Sequence, residues 1–478
     1  MKVCLLTEGS YPYVVGGVSA WTHMLIQGLP EVEFTVYSIG ALAKDRGNFK
    51  YKLPENCTAV QEVFLDEVLS ERATGLIPPM LTNEECQALT SLVGNKDDID
   101  FDCLMGIFRN RQWKSPFDIF MSEDFFKVIQ RAYKEQFSYL PFTDYFWTIR
   151  SMLLPFFYLL QQKNLPQADV YHSVATGYCG IIGAVAAAQY HKPFILTEHG
   201  IYARERENEI IKSDWVRGDF KGIWIDYFYN LGRLAYQKAD QVYTLFEHNA
   251  HIEAEIGCPP EKIHVVPNGI HMERFASVPK LTDHPGPIVI GAVVRVVPIK
   301  DISTLLYAFY RVQQERTDTE FYIMGNLEEE PEYAALMKSL ARNLSLKHVH
   351  FTGTVNVAEY LPRMDILVLS SISEGQPLAV LEGFAAHRPY VTTDVGCCRE
   401  LIYGDSQDHL GSAGSVVPPM NDKALADEIL RLAGSFQLRS RMADIGYERV
   451  KNSYTYELFI NAYREIYQSC HKLTKKGG

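Results

Sequence analysis

Two sets of short apolar runs divide this chain, and within each set the runs are separated by helix-like stretches. Short apolar strands that alternate with helices predict parallel β-sheets with helices packed on both faces. We place strands of the first set at 2–7, 33–37, 170–172, 194–198, 241–244 and 263–266, and strands of the second at 288–294, 320–324, 349–352, 366–370 and 390–393. The stretch at 283–287, which contains two prolines and a glycine, is predicted to link the two sets.

The predicted architecture is α/β, with two Rossmann-like, doubly wound domains, because 478 residues exceed what one hydrophobic core usually organises. We expect one domain at 1–284, a second at 285–455, and a carboxy-terminal helix at 456–478 that crosses back to the first domain. The segment from about 56 to 146 does not follow the alternation, and its aromatic and acidic composition predicts an insertion that serves as a lid, a binding platform or a structural cap. Such sheets bind ligands at the carboxyl ends of their strands, so two facing domains predict a ligand site in a central cleft.

Charge and cysteine usage exclude several classes of function. The formal net charge of −12 argues against nucleic acid as a partner, since phosphate backbones are bound by positive surfaces. Nine cysteines without a C-x-x-C spacing predict neither a disulfide framework nor a zinc site, and they fit a cytoplasmic protein. The longest apolar stretches, at 152–160 and 179–188, reach about half of the roughly 20 residues that span a bilayer, so no transmembrane helix is expected.

The clearest chemical motif holds two carboxylates, Glu374 and Glu382, directly after the predicted strand at 366–370. A proline suits the first turn of a helix, and the free amides of that turn then point back toward the loop. Glu374 can accept hydrogen bonds from sugar hydroxyls, Glu382 can bind a ribose diol, and the loop amides can meet phosphate or sugar oxygens. The ligand-binding residues predicted between the carboxylates are Gly375, Gln376, Pro377 and Leu378. The alternative is that both glutamates are surface residues near the start of a helix.

A second motif, Arg295 and Lys300, follows the predicted strand at 288–294. An arginine bridges two oxygens in a planar fork and a lysine supplies a compact charge, so the pair suits a diphosphate. In a protein of net charge −12, this local positive charge is where an anionic ligand would be held. The alternative is that both side chains are solvated on a loop.

Two further features lie in the first predicted domain. Gly16 and Gly17 follow the first strand, where glycines let the backbone approach a ligand and adopt dihedral angles closed to other residues. His199 follows the strand at 194–198 and precedes a glycine, a position from which its ring can face a ligand. A lone histidine is also often a satisfied structural residue.

In their order and spacing these motifs resemble family 4 of the retaining glycosyltransferases, over nearly the whole chain apart from the insertion. The matching segments are 16–17, 198–200, 266–270, 295 with 300, 324–325, 351–355, 374 with 382, and 393–396. Within that family, the run at 8–21 and the long aromatic insertion are similar to the transferases of bacterial Pel exopolysaccharide systems. The resemblance implies the GT-B fold, with an amino-terminal acceptor domain and a carboxy-terminal domain for the nucleotide-sugar donor.

The resemblance also implies roles for the motif residues. Arg295 and Lys300 would neutralise the diphosphate of a UDP-sugar. Glu382 would bind the ribose, and Glu374 would hold the hydroxyls of the donor sugar. Many relatives have glycine or alanine where this chain has Gln376, so the sugar contact at that position departs from the pattern.

Three other positions receive roles in the same way. Val355 would lie near the uracil through its backbone, His199 would lie beside the reacting sugar, and Gly17 would approach the diphosphate. With Arg295 and Lys300 stabilising the leaving group, neither a metal ion nor a cofactor is expected. The D-x-D patterns at 98–100 and 100–102 are attributed to a solvated turn, because they lie in the insertion and not after a core strand.

The implied activity is retaining transfer from a UDP-sugar onto a growing polysaccharide, in which the leaving diphosphate accepts the acceptor proton. The implied partners are the UDP-sugar, the polysaccharide acceptor and membrane components of an exopolysaccharide synthase, at which a cytoplasmic protein would be held peripherally. Two alternatives stay open. A nucleotide-sugar epimerase shares the two-domain architecture, and a non-catalytic subunit could bind the nucleotide-sugar within a synthase complex.

Overall fold

The computed structural model describes residues 1–74, 80–94, 99–109 and 115–476. Its strands are β1 (Lys2–Glu8), β2 (Glu33–Gly40), β3 (Cys57–Phe64), β4 (Val170–Ser173), β5 (Phe194–Glu198), β6 (Gln241–Thr244), β7 (Ile263–Val265), β8 (Ile288–Val293), β9 (Thr319–Met324), β10 (Val349–Gly353), β11 (Ile366–Leu369), β12 (Tyr390–Thr393) and β13 (Gly414–Val417). Its helices are α1 (Gly17–Gly28), α2 (Asn83–Val93), α3 (Phe101–Arg109), α4 (Pro116–Phe120), α5 (Glu123–Ala132), α6 (Phe142–Leu160), α7 (Tyr178–Tyr190), α8 (Tyr202–Lys212), α9 (Gly218–Lys238), α10 (Glu247–Ile256), α11 (Ile302–Glu315), α12 (Pro331–Asn343), α13 (Val357–Tyr360), α14 (Leu378–Ala385), α15 (Cys398–Tyr403), α16 (Asp422–Ala433), α17 (Phe436–Ser453) and α18 (Tyr456–Lys476). Among these described helices, none combines the length and the apolar character needed to cross a bilayer.

The chain forms two compact units. The first comprises Met1–Thr244, Ala250–His264 and the chain from Tyr463 onward, and the second comprises Leu245–Asn249 and Val265–Ala462. The change of unit at 264/265 differs from the predicted domain boundary at 284/285, because Phe275 and Val278 are buried in the core of the second unit. Helix α18 begins in the second unit and belongs to the first from Tyr463 onward.

Over the described residues, the sheet of the first unit has seven strands in the order β3-β2-β1-β4-β5-β6-β7. The pairs from β3 to β6 are parallel. The interior strand β1 is buried on both faces, with Val3, Cys4 and Leu5 at 0% exposure. The strand order reverses between β1 and β4, so the carboxyl ends of these strands mark a place where doubly wound sheets bind ligands.

The predicted insertion at 56–146 begins too early, because residues 57–64 form strand β3 in register with β2. The first half of β3 is partly exposed, so no continuous apolar run marks it in the sequence. Helices α2 to α6 follow, and each of α3 to α6 contributes buried aromatic rings to the core. The ring of Phe157 lies 4.7 Å from that of Phe108 and 5.3 Å from that of Phe120, measured between centroids. The described part of this segment shares one apolar core with β1, so it is built into the first unit.

The sheet of the second unit has six strands over the described residues, in the order β10-β9-β8-β11-β12-β13, and its neighbouring pairs are parallel. The prediction of two doubly wound, Rossmann-like sheets is therefore confirmed. Strand β13 was not predicted, since Gly414 and Ser415 begin it and only Val416 and Val417 are apolar. The order reverses between β8 and β11, where two of the predicted motifs begin.

Arg449 on α17 fixes the end of helix α15 in the second unit. Its side chain is 1% exposed and its Nη1 donates to the carbonyl oxygens of Leu401 and Ile402 at 2.9 and 2.8 Å. The guanidinium also pairs with Asp408, with an Nε to Oδ2 distance of 2.5 Å, and donates to Gly411. It thus satisfies carbonyl groups that a helix end leaves without partners.

We expect Arg449→Met to destabilise the second unit by about 3–5 kcal/mol, because the buried carboxylate of Asp408 and the carbonyl groups lose their partner. Guanidinium denaturation would measure the loss as a lowered midpoint. Arg441→Met, at an exposed position of the same helix, should leave the midpoint unchanged. Equal midpoints for the two variants would contradict this account of Arg449.

Candidate active site

Lys300 and Glu374 form an ion pair at the carboxyl edge of the second sheet. Because β8 and β11 are neighbours, the turn at Pro298–Lys300 and the loop after β11 lie side by side. Lys300 Nζ lies 2.5 Å from Glu374 Oε1, and the two side chains are only 15% and 11% exposed. Ser371 Oγ also donates to Glu374 Oε1, at 2.5 Å. The structure therefore joins two predicted catalytic residues and adds Ser371, which no sequence signal distinguished from other serines.

Arg295, the other predicted cation, pairs with Glu329. Its side chain is 55% exposed, and exposed ion pairs of this kind contribute about 0–1 kcal/mol. The guanidinium can therefore exchange this carboxylate for another anion with little loss. Nothing in the sequence motif pointed to Glu329, because 34 positions separate the two residues.

The loop at 374–378 is fixed on one side by the segment after β12. Gly375 O accepts the backbone N–H of Cys397 at 3.1 Å. Gly396 has a φ of +52°, and a Cβ there would lie 2.2 Å from Gly375 O. Only glycine allows this close approach in a left-handed conformation.

On the other side, hydrogen bonds of the Gln376 side chain hold the loop in place. Its Oε1 accepts the backbone N–H of Asn268 at 2.7 Å, and its Nε2 donates to Asn268 O at 3.5 Å. Gln376 is 9% exposed, so the side chain predicted to meet a ligand is engaged by the protein itself. Contact between a ligand and the backbone of Gly375, Gln376 or Leu378 stays a prediction.

Helix α14 begins at Leu378, and Pro377 is its N-cap, one position before the predicted first turn. Glu382 lies on this helix and is partly buried. Burial raises the pKa of its carboxyl, and the positive charge of Arg274 opposes the shift. In the described ranges no hydrogen bond or ion pair engages this carboxyl, which leaves it open to a ligand hydroxyl.

Val355 follows β10, the outermost strand of the same sheet, and packs partly buried against the core of the second unit. Its position near a uracil stays a prediction. The structure thus brings Lys300 and Glu374 into contact, and it sets Arg295, Glu382 and Val355 on separate elements of the second unit.

Gly16 and Gly17 lie in the first unit, at the start of α1. The expectation that they need dihedral angles closed to other residues is wrong, since Gly16 has a φ of −175° and neither glycine has a positive φ. A Cβ at either position would meet nothing within 4 Å. Their small size leaves open space above the helix start, and it relieves no backbone strain.

His199 follows β5 in the first unit, and its ring meets the ring of Trp21 edge to face, with centroids 4.5 Å apart. Burial lowers the pKa of His199 to about 3. Its Nε2 atom is buried and has no hydrogen-bond partner among the described residues. A neutral imidazole nitrogen in that state can donate to or accept from a ligand hydroxyl.

The loop that carries His199 is anchored by two carboxylates. Glu198, 1% exposed, accepts the N–H of Tyr202 at 2.9 Å and the hydroxyl of Thr176 at 3.1 Å. Glu8, at the end of β1, accepts the hydroxyl of Tyr202 at 2.7 Å. Burial raises the pKa of both carboxyls. Tyr202 therefore joins the ends of two strands, a role that sequence reasoning missed.

The discounted D-x-D patterns share Asp100, and Asp98 lies outside the described residues. Asp100 Oδ1 accepts the N–H of Cys103 at 2.9 Å and so starts helix α3. Asp102 pairs with Lys238 at 2.7 Å. Both described aspartates thus have structural partners within the first unit.

Because burial lowers the pKa of His199 and His172 to about 3, we expect both imidazoles to stay neutral between pH 5 and 8. Nitrogen-15 spectra of labelled imidazole rings, assigned with His199→Gln and His172→Gln, would show no titration of either ring in that range. A midpoint above pH 5 for His199 would contradict the burial described here.

Comparison with known proteins identifies the family of this chain and solved structures that have the same fold. Residues 1–261 match the family described as domain of unknown function (DUF3492), and residues 287–435 match the family described as glycosyl transferases group 1. The MMP alpha-(1->4)-mannosyltransferase of Mycolicibacterium hassiacum is 24% identical over 289 residues, which are 60% of this chain and 67% of that protein.

Two solved structures share the fold. Sucrose-phosphate synthase from Thermosynechococcus elongatus has a TM-score of 0.60 at 14% identity and covers 98% of both chains. HepE from Anabaena in complex with UDP has a TM-score of 0.60 at 14% identity and covers 98% of this chain and 100% of its own. The group 1 match gives the region at 287–435 as a glycosyl transferase domain, and the fold is the GT-B fold of these solved structures. Since the match at 1–261 covers more than half of the chain, the protein belongs to the DUF3492 family.

Proposed function

We propose that the protein is a retaining glycosyltransferase that moves a sugar from a UDP-sugar onto a growing polysaccharide, as transferases of the PelF type do in Pel exopolysaccharide synthesis. The observation that carries the proposal is the Lys300–Glu374 pair, 2.5 Å apart at the point where the strand order of the second sheet reverses. One partner suits an anionic phosphate and the other suits sugar hydroxyls, so the pair fits the junction between the diphosphate and the sugar.

Bond cleavage in such a donor leaves negative charge on the departing diphosphate. Lys300 is held in place by its ion pair, and Arg295 can leave Glu329 with little loss of stability. Preorganised donors at a developing charge each contribute about 2.7–4 kcal/mol of barrier reduction. These two cations support a metal-independent reaction in which the diphosphate then accepts the proton of the acceptor hydroxyl.

Glu382 supports recognition of the nucleotide. Its carboxyl is partly buried and has no hydrogen bond among the described residues, so a ribose diol would satisfy it. HepE, which shares the fold, was solved with UDP. These observations favour UDP as the leaving group, with Val355 beside the base.

We assign the acceptor to the first unit, where Gly16 and Gly17 leave open space at a helix start and His199 Nε2 has no hydrogen-bond partner among the described residues. The acceptor is a polysaccharide end in this proposal. The protein would act in the cytoplasm, held peripherally by the membrane components of an exopolysaccharide synthase.

A second candidate donor is a mannose nucleotide, because the relative from Mycolicibacterium hassiacum is a mannosyltransferase. Transfer from this donor would use the same two cations, Arg295 and Lys300, and the same leaving-group chemistry. The two candidates differ only in the nucleotide and the sugar that Glu382 and Glu374 would contact.

The proposed function is tested by incubating the protein with a panel of UDP-sugars and GDP-mannose in excess EDTA, with and without an oligosaccharide acceptor. We expect elongated acceptor and released UDP in the presence of EDTA. Isomerised donor without elongation would indicate an epimerase, and donor binding without turnover would indicate a non-catalytic subunit. Activity that EDTA abolishes and manganese restores would reject metal independence.

Separate substitutions distinguish binding from catalysis in the second unit. Glu382→Ala should raise the donor KM about tenfold with kcat unchanged, because a ribose contact is the same in the ground and transition states. Arg295→Ala and Lys300→Ala should each lower kcat about 100-fold, because the charge they face grows as the bond breaks. Lys423→Ala, at an exposed position of the same unit, is the matched control. Normal kcat for Lys300→Ala at saturating donor would remove Lys300 from the proposed mechanism.

A further inference from the structure

Both polar atoms of the Gln376 side chain are hydrogen-bonded by the backbone of one residue in a distant segment, Asn268. Asn268 N–H lies 2.7 Å from Gln376 Oε1, and Asn268 O lies 3.5 Å from Gln376 Nε2. Both residues are 9% exposed. A backbone N–H buried to this degree needs a partner, and Gln376 supplies it.

The Asn268 segment is itself held firmly. Ile270 N–H donates to Tyr454 O at 2.9 Å, and Tyr456 N–H donates to Ile270 O at 2.9 Å. A Cβ on Gly269 would lie 2.1 Å from Thr455 O, so the backbones of the segments at 269 and 455 are in direct contact. Gln376 is therefore hydrogen-bonded to a segment that cannot move unless residues 454–456 move with it.

The 374–378 loop thus has two supports. On one face Gly375 O contacts Cys397 and Gly396, as described above, and on the other face Gln376 holds Asn268. The loop also carries Glu374, whose carboxylate meets Lys300 at 2.5 Å. Loss of one support would let Glu374 and the amides of the loop move.

We propose that Gln376 is a positioning residue, which holds Glu374 and the 374–378 amides in the geometry that the donor sugar requires and does not itself contact the donor. This inference rests on the proposed function. Glu382 lies within helix α14 and Val355 lies after β10, so the proposed contacts with the ribose and the base lie outside the 374–378 loop. Gln376 therefore acts on the sugar end of the donor and leaves the ribose and base contacts of the nucleotide unaffected.

The test replaces Gln376 by Met, which has a similar length and cannot accept the Asn268 N–H. Gln407→Met, at an exposed loop position of the second unit, is the matched control. For each protein, calorimetry measures the affinity for UDP, and steady-state kinetics measure kcat and KM for the donor that the wild-type protein uses best. Hydrogen exchange of the peptides spanning 266–270 and 374–380 and the thermal midpoint are measured on the same samples.

We expect Gln376→Met to lower kcat/KM for the donor by about tenfold, the effect of one buried unpaired group, while the UDP affinity stays at the wild-type value. Exchange should become faster in both peptides, and the control should match the wild type. Unchanged kcat/KM, or a parallel loss of UDP affinity and thermal midpoint, would overturn the inference in favour of a purely structural amide. If the wild-type protein turns over no donor, the proposed function fails by itself, and unchanged exchange at 374–380 would still overturn the positioning role.

Discussion

The candidate site of the second unit depends on one ion pair that is largely removed from water. With side chains 15% and 11% exposed, Lys300 and Glu374 lose much of their hydration and must compensate each other. Because they come from the ends of neighbouring strands, their contact fixes the turn after β8 against the loop after β11. The position of the Glu374 carboxylate at the start of the 374–378 loop follows from that contact.

The carboxyl edges of the two sheets differ in electrostatics. In the first unit, Glu8 and Glu198 accept hydrogen bonds from the neutral groups of Tyr202, Cys179 and Thr176, and burial raises the pKa of both carboxyls. In the second unit, Glu374 meets a cation. The carboxyls at the first edge resist ionisation, which suits a neutral ligand there. The second edge already holds charged side chains, which suits an anionic ligand. The same doubly wound topology can therefore present two chemically distinct sites.

Most of the sheet framework could be predicted from the sequence, because buried parallel strands are continuous apolar runs. The exceptions have local causes. The outer strand β3 is half exposed and so lacks such a run, and only two residues of β13, Val416 and Val417, are apolar. Phe275 and Val278 lie before the predicted linker, and only their burial against the second core assigns them to it.

For the candidate site, residue types and strand ends could be predicted, but side-chain partners could not. The contacts of Gln376 with Asn268 and of Arg295 with Glu329 join residues 108 and 34 positions apart. No local periodicity encodes such pairs, since they arise only when the strands are ordered in the sheet. The expectation of a special backbone conformation at Gly16 was wrong for a related reason. A glycine pair in a sequence does not reveal whether the position requires open space or a backbone angle closed to other residues.

Both predicted cations of the candidate site, Arg295 and Lys300, already have carboxylate partners, so ligand binding there is an exchange of partners. Arg295 exchanges easily, since its pair is exposed. Lys300 does not, because an anion that draws it away leaves Glu374 largely buried, with Ser371 as its one remaining side-chain donor among the described residues. On the proposed function, the donor sugar resolves this conflict by offering its hydroxyls to Glu374 at the moment its diphosphate engages Lys300. The diphosphate and the sugar would then bind cooperatively, and the ion pair itself would couple the two halves of the donor.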